Sequence, residues 1–303
     1  MKKYASKLLL FGEYTIIKGG SALAFPLSNY CGNWDFSDDV DNANLLEWKK
    51  YIEGEQSHNS SVFGIDTERF EVDLKKGLFF NSDIPMGYGV GSSGALCAAL
   101  YDEYAVKISK LSPASENVFQ LKMIFQMLEN FFHGSSSGVD PLICYLNQPL
   151  LLKGKREAEL IKLKSPINNQ SAIFLLDTRR SRQTEPLVNF FLEKLKNENF
   201  STSFEMEWCV YNEAIIEAFL NQNHIDFFEN IHLLSQFQYN HLSRMIPDDF
   251  VEIWKNGLES QLYTIKLCGA GGGGFLLGFT EDWEATKKVL RVSGFELIRV
   301  RTL

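Results

Sequence analysis

No stretch of this 303-residue chain approaches the roughly 18 consecutive apolar residues that a membrane-spanning helix requires. The apolar run near its start, Leu8-Leu9-Leu10-Phe11, stops at Gly12-Glu13 and is too short for the core of a secretory signal. The five cysteines, Cys31, Cys97, Cys144, Cys209 and Cys268, are odd in number, scattered and never in C-x-x-C spacing. That pattern argues against a disulfide framework and a zinc site, and it fits a reducing compartment. His133, His224, His232 and His241 lack the spacing of metal ligands and His58 sits in a polar segment, so all five read as structural or surface residues. Basic residues are a minority: a net charge of −8 supplies no general field for nucleic acid or an anionic membrane. The expectation is a soluble, cytoplasmic protein. A small anionic ligand would then be held by local N–H groups and a few cations. The apolar content of 45% and charged content of 22% are ordinary for a globular chain, and the length suits one large domain or two moderate ones.

Glycine, by contrast, is concentrated. Pro85-Met86-Gly87-Tyr88-Gly89-Val90-Gly91-Ser92-Ser93-Gly94 runs straight into a segment of strong helix-forming composition. Glycine reaches positive φ and lets a ligand approach the backbone, and the helix that follows offers unpaired N–H groups at its positive end. A phosphate-binding loop is favoured over a plain surface turn. Gly89-Val90-Gly91-Ser92-Ser93-Gly94 also spells the dinucleotide fingerprint G-x-G-x-x-G, but Ile84-Pro85-Met86 breaks the strand that should precede it. The nearest later acids, Asp102 and Glu103, fall inside the same helix instead of on a following strand. No lysine follows the glycines, so a P-loop is excluded. A third loop type, in which two serines share the phosphate and metal work, remains.

Residues 7–27 read as two short apolar strands joined by a turn at Gly19-Gly20. Glu13 is expected at a strand end facing water, although Lys7 and Glu13 bracketing one strand also mark a cleft edge. Residues 35–61 are polar and acidic and read as loop or a peripheral helix. Phe70–Phe80 alternates around a Lys-Gly turn and predicts a strand pair, and helices are expected at about 93–108 and 115–132. In His133-Gly134-Ser135-Ser136-Ser137-Gly138-Val139-Asp140 a turn delivers one carboxylate into an apolar segment, where it could cap a helix or do chemistry. Glu129 sits in the last turn of the preceding helix, an unfavourable place for an anion and mild evidence for a nearby cation. Strand 171–178 is followed by Arg179, Arg180 and Arg182, past a strand end where anions bind in α/β proteins. Helices fill about 186–261. The strand at 263–267, the glycine run Gly269–Gly274, the strand at 275–279, the helix at 282–292 and the strand at 295–301 then complete a β-α-β-β-α-β order, the ferredoxin-like pattern.

Three blocks in this order resemble the GHMP kinases, the ATP-dependent kinases of galactose, homoserine, mevalonate and phosphomevalonate. They are Lys7-x4-Gly12-Glu13-Tyr14, Pro85-x-Gly87-x-Gly89-x-Gly91-Ser92-Ser93, and Lys266-x-x-Gly269-Ala270-Gly271-Gly272-Gly273-Gly274-Phe275. They cover roughly a quarter of the chain, and three motifs in register weigh far more than one. Within the family, His133-Gly134-x-x-Ser137-Gly138-Val139-Asp140 is similar to the block of the mevalonate-phosphorylating branch. Tyr14 and Gly94 are more similar to the phosphomevalonate-phosphorylating branch, and Ala5-Ser6 stands where the former has Pro-Gly. The resemblance implies an α+β fold in two domains. Residues 1–165 would form an N-terminal, S5-like α/β domain that binds ATP through the glycine loop, and residues 166–303 a C-terminal ferredoxin-like domain.

The resemblance also implies roles. Asp140 is the catalytic residue, Lys7 its partner, and Thr184 lies near the reacting groups. Pro85, Gly87, Gly89, Gly91, Ser92, Ser93 and Gly94 cradle ATP, and Ser93 and Glu129 hold Mg²⁺. Glu13, Tyr14, Gly138, Arg182, Gly269, Ala270 and Gly271 surround the acceptor. The implied partners are ATP and a small hydroxyl-bearing metabolite, with mevalonate foremost, no nucleic acid and no membrane; a homodimer is left open. Four rivals stand beside that reading: a phosphomevalonate kinase or other member of the family, a decarboxylase of the same superfamily, a non-catalytic nucleotide or metabolite sensor on this fold, and a Rossmann oxidoreductase.

Overall fold

Buried and half-exposed residues alternate along Tyr4–Phe11 and make it the first strand, β1. The computed structural model describes residues 2–58, 64–106, 110–112, 114–154, 157–165 and 169–303. The 165/166 domain boundary, the end of the helix expected to reach 108 and the end of the polar segment at 61 fall at or among residues outside these. A 3-10 turn at Thr15–Lys18 leads to β2, Ser21–Phe36, a strand long enough to take three neighbours. It pairs antiparallel with β1, with β3 at Leu78–Ser82 and with β4 at Leu150–Lys153. β5, Glu157–Leu160, adds to β4.

Helices α1 (Ala43–His58), α2 (Thr67–Lys75), α3 (Ser92–Tyr104), α4 (Val118–His133) and α5 (Val139–Leu146) belong to this half of the chain. Two expectations are corrected here. Residues 70–75 are not a strand: they belong to α2, whose N-terminus Asp66 caps by accepting from the Arg69 amide, and only Leu78–Ser82 is extended. The polar segment holds α1, and that helix is not peripheral. Trp48 and Ile52 are fully buried, and the Trp48 indole donates to the Leu128 carbonyl of α4 at 3.0 Å.

The second sheet contains β6 (Ala172–Asp177), β7 (Thr264–Leu267), β8 (Phe275–Thr280) and β9 (Leu297–Thr302), in the spatial order β7-β8-β6-β9 and antiparallel throughout. Helices α6 (Thr184–Leu195), α7 (Glu198–Ser203), α8 (Cys209–Asn221), α9 (His224–His241) and α10 (Asp248–Ser260) lie between β6 and β7 in sequence, and α11 (Trp283–Val292) between β8 and β9. That order and pairing make the ferredoxin-like arrangement expected from the sequence. The chain therefore has a mixed fold of helices and two sheets.

The core runs without a break from one sheet to the other. The Phe11 ring, at the end of β1, stacks on Phe279 of β8 at 5.7 Å and meets Phe227 of α9 edge-on at 6.0 Å. Beside it, Lys266 of β7 is fully buried and forms an ion pair with Glu13. Lys266 Nζ also donates to the Leu267 carbonyl at 2.7 Å. Glu13 thus does not face water, as its place near a strand end suggested: burial pushes its carboxyl up, and Lys266 and the Gly269 amide oppose that push. Removing one partner strands the other charge in the core, at a typical cost of about 3–5 kcal/mol. Lys266→Met should lower the melting temperature sharply, and adding Glu13→Gln should recover most of the loss; equal melting of the single and double variants would show that the pair is not the cause.

Candidate active site

Strand β1 places Lys7 on the face opposite the buried Leu8 and Leu10, and its Nζ meets Asp140 Oδ2 at 2.9 Å. Burial alone would pull the ammonium down. The Asp140 carboxylate and the hydrogen bond to it outweigh that and hold Lys7 above the ordinary lysine value, so the ammonium stays charged. Asp140 is the second residue of α5 and does not cap it: the N-cap is Gly138, with φ +71°. A Cβ on Gly138 would come within 2.2 Å of the Lys122 carbonyl, so only glycine lets α5 begin this close to α4.

The glycine loop is fastened to the same strand. The Lys7 amide donates to the Val90 carbonyl at 2.9 Å, and a Cβ on Gly91 would sit 2.7 Å from Lys7 Cγ. Gly91, at φ +80°, is the N-cap of α3, which starts at Ser92. The first amides of a 13-residue helix therefore open beside Lys7, a ready anion site. Gly94 packs flat on the next element, where a Cβ would lie 2.9 Å from the Asp140 carbonyl carbon.

Ser93 and Glu129, the two residues expected to share a metal ion, lie side by side. Ser93 Oγ donates to Glu129 Oε1 at 3.0 Å, and Ser136 Oγ donates to Glu129 Oε2. Glu129 is buried, and burial together with the Asp140 charge pushes its carboxyl up to about 7, against the two serine hydrogen bonds and Lys7. A carboxylate held uphill among hydroxyls is a donor set for a hard cation, which would relieve that cost. Among the described residues no group of three or more His, Cys, Asp or Glu could hold a metal by itself. Phosphate oxygens and water would then complete the shell, the usual magnesium arrangement.

His133, read as structural or surface, is exposed, and its Nε2 lies 2.9 Å from Ser93 Oγ. Ser136 carries no signal in the sequence. It occupies an unspecified position of its block, yet besides bonding Glu129 it accepts from the Gly138 amide at 2.9 Å.

The loop after β6 reaches into the same region. The Arg182 amide donates to the Gly87 carbonyl at 3.0 Å, and its guanidinium donates to the Cys268 carbonyl. Arg182 Nε is buried and finds no hydrogen-bond partner among the described residues. The head lies against Gly89 and Gly269, whose added Cβ atoms would be 1.7 and 2.5 Å from Nη2. Thr184 opens α6 and is exposed, and no hydrogen bond or ion pair among the described residues links it to Asp140 or Lys7. Glu13 and Tyr14 are tied to the third glycine block: Glu13 pairs with Lys266, and the Tyr14 hydroxyl donates to the Ala270 carbonyl at 2.9 Å. Gly271, at φ +76°, lies against Leu267 and Met245. Pro85 and Ser92 are half-buried at the two ends of the glycine loop.

On the other side of Lys7 and Asp140 lies a cavity of about 470 Å³. One face of the first sheet forms its floor, with Leu9, Ala22, Ala24 and Leu152 in register across three strands. The site therefore pairs a phosphate-sized cradle with an apolar cavity, and a Lys–Asp pair stands between them.

Residues 57–148 match the family model "GHMP kinases N terminal domain". The mevalonate kinase of Dictyostelium discoideum is 24% identical, over 89% of this chain and 85% of its own. The crystal structure of the Methanococcus jannaschii mevalonate kinase superposes with a TM-score of 0.66 at 20% identity, covering 100% of this chain and 98% of that one. The Streptococcus pneumoniae phosphomevalonate kinase in complex with phosphomevalonate and AMPPNP gives 0.66 at 15% identity, covering 99% of each chain. The chain is therefore similar to the GHMP kinases over residues 57–148, to mevalonate kinases in sequence at low identity, and to kinases of that family in fold.

Proposed function

We propose that the protein transfers the γ-phosphate of ATP to the primary hydroxyl of mevalonate. The observation that carries this is the Lys7–Asp140 ion pair, standing between the N-terminus of α3 and the cavity over β1. The glycine loop and the first amides of α3 bind the phosphates, and Arg182 adds positive charge beside Gly89. Ser93 and Glu129 would hold Mg²⁺, which supplies charge neutralisation at the transferring phosphate. The acceptor hydroxyl lies against Asp140, which orients it and takes its proton. Lys7 pairs with that carboxylate and faces the charge that develops in transfer. Glu13 and Tyr14 act at one remove, by fixing the end of β1 to the Gly269–Gly271 turn. Phosphoryl transfer depends chiefly on positioning and electrostatics, and each of these groups is held by an element of the fold.

Mevalonate is favoured by the His-Gly-x-x-Ser-Gly-x-Asp block and by the curated relatives of that name. The test is ADP release with ATP and Mg²⁺ across mevalonate, phosphomevalonate, galactose and homoserine. Turnover with mevalonate alone supports the reading. Turnover with phosphomevalonate in its place overturns it and makes Tyr14 and Gly94 the better guides.

A further inference from the structure

Glu129 lies near the C-terminal end of α4, and its long side chain must be held in one rotamer before its oxygens can face a fixed point. Two hydroxyls hold it, one on each oxygen and each from a different element. Ser93, the second residue of α3, donates to Oε1 at 3.0 Å. Ser136, in the turn between α4 and α5, donates to Oε2.

Ser136 is itself clamped from two sides. Its amide donates to Asn130 Oδ1 on α4 at 2.7 Å, and its Oγ accepts from the amide of Gly138, the N-cap of α5, at 2.9 Å. The turn can fold back this far because Gly134, at φ +68°, ends α4 and donates to the Asn130 carbonyl at 2.7 Å. A hydroxyl has one proton and two lone pairs. With the Gly138 N–H on one lone pair, the Ser136 proton turns to Glu129. Ser93 repeats the pattern: its proton goes to Glu129, and its Oγ lies 2.9 Å from His133 Nε2. A chain of hydrogen bonds therefore runs from the start of α5 through Glu129 to the start of α3, and it leaves lone pairs open on both Ser93 and Glu129.

We propose that Ser136 is a positioning residue for the cation: its hydroxyl sets the plane of the Glu129 carboxylate, and thereby the affinity for Mg²⁺ beside Ser93. This rests on the reading of Ser93 and Glu129 as magnesium ligands and deepens it. Magnesium tolerates little departure from octahedral geometry, so a carboxylate free to turn about its last bond binds it less well. Ser136 acts through Glu129 and has no need to touch the ion. Groups that orient a ligand in this way change metal affinity by about 10- to 100-fold when they are lost.

The test compares wild type, Ser136→Ala and Ser136→Thr, with ADP as the probe nucleotide and Mg²⁺ varied. Calorimetry without any acceptor gives the Mg²⁺ concentration at which ADP binding is half-maximally tightened, and turnover gives a second Mg²⁺ midpoint. In Ser136→Ala both midpoints should rise by about 10- to 100-fold, while Mg²⁺-free ADP binding and kcat at saturating Mg²⁺ change far less. Threonine keeps the hydroxyl and should return most of the shift. A purely structural role, holding the start of α5 through Gly138, predicts the opposite split. There kcat at saturating Mg²⁺ falls, because Asp140 sits in that first turn, and the midpoints stay put. That split overturns the assignment, as do Ser136→Ala midpoints within about twofold of wild type or a threonine shift as large as that of alanine; each leaves the magnesium reading intact. Should Ser136→Ala not fold, Asn130→Ala removes the acceptor of the Ser136 amide and is read in the same way. If Mg²⁺ leaves ADP binding to the wild type unchanged, the magnesium reading of Ser93 and Glu129 falls, and the role of Ser136 with it.

Discussion

Replacing Asp140 by asparagine should lower kcat by about 10²- to 10⁴-fold, the range typical of a positioned general base, and leave KM for ATP nearly unchanged. The asymmetry follows from where Asp140 stands. Its carboxylate is on the acceptor side of Lys7, whereas the glycine loop hangs from the Lys7 amide and the Val90 carbonyl, which the substitution does not touch. Asparagine keeps the size of the side chain and the start of α5, so folding should survive; a melting curve on the same preparation checks that. The variant also releases Lys7 from its counter-charge, which lets burial lower its pKa, and any residual rate should fall at a lower pH than in wild type. Near-normal turnover in Asp140→Asn would remove the aspartate from the chemistry and reopen the sensor and decarboxylase readings.

Glu129→Gln should separate activity from stability in opposite directions. Glutamine cannot supply the carboxylate that a magnesium ion needs beside Ser93, so turnover should fall by at least about 100-fold, as when a charge-neutralising group is lost in phosphoryl transfer. Stability follows a different rule. The folded-state value is raised from 4.5 to about 7, so the folded protein holds this proton more tightly than the unfolded chain does. The benefit is complete below about pH 4.5 and is lost as the pH rises through about 7. Above that, the ligand-free protein carries a buried charge that costs roughly 3 kcal/mol at most. Glutamine is neutral at every pH. The ligand-free variant should therefore melt a few degrees above wild type at about pH 8, and the difference should vanish near pH 5. A variant that melts below wild type at the higher pH would show that Glu129 is stabilised as a carboxylate by something other than a cation.

The glycine loop and the second sheet were legible because their signals are local. Gly87, Gly89 and Gly91 all adopt positive φ, and a run of such residues before a helix is rarely needed except where a ligand approaches the backbone. The strand and helix order after residue 171 was also local, since β6 and β8 are short apolar runs between turns. Phe70–Lys75 misled for a definite reason. Phe70, Val72 and Leu74 alternate as a strand would, but Phe70 and Leu74 are also one helical turn apart. The helix buries those two, leaves Val72 half exposed, and is decided by the Asp66 cap. What stayed hidden depends on distant partners. Glu13 finds Lys266 from 253 positions away, and nothing near residue 13 announces it. Ser136 acquires its place only when α4 and α5 pack through Gly138. The roles carried over to Lys7, Asp140, Ser93 and Glu129 were readable as motif positions, but the distances that make them one site were not.

The surroundings of Arg182 have an evolutionary consequence. Gly87, Gly89, Gly269 and Gly273 crowd its loop with backbone, so almost every substitution there adds atoms where none fit. That corner can be broken by mutation but hardly retuned. The cavity floor is the reverse: Leu9, Ala22, Ala24 and Leu152 line it with side chains, so a substitution there alters the cavity and not the Arg182 corner. Selection for a new acceptor therefore has room to act on one side of the Lys7–Asp140 pair and almost none on the other. A fold built this way can remodel the cavity while the corner around Arg182 stays fixed.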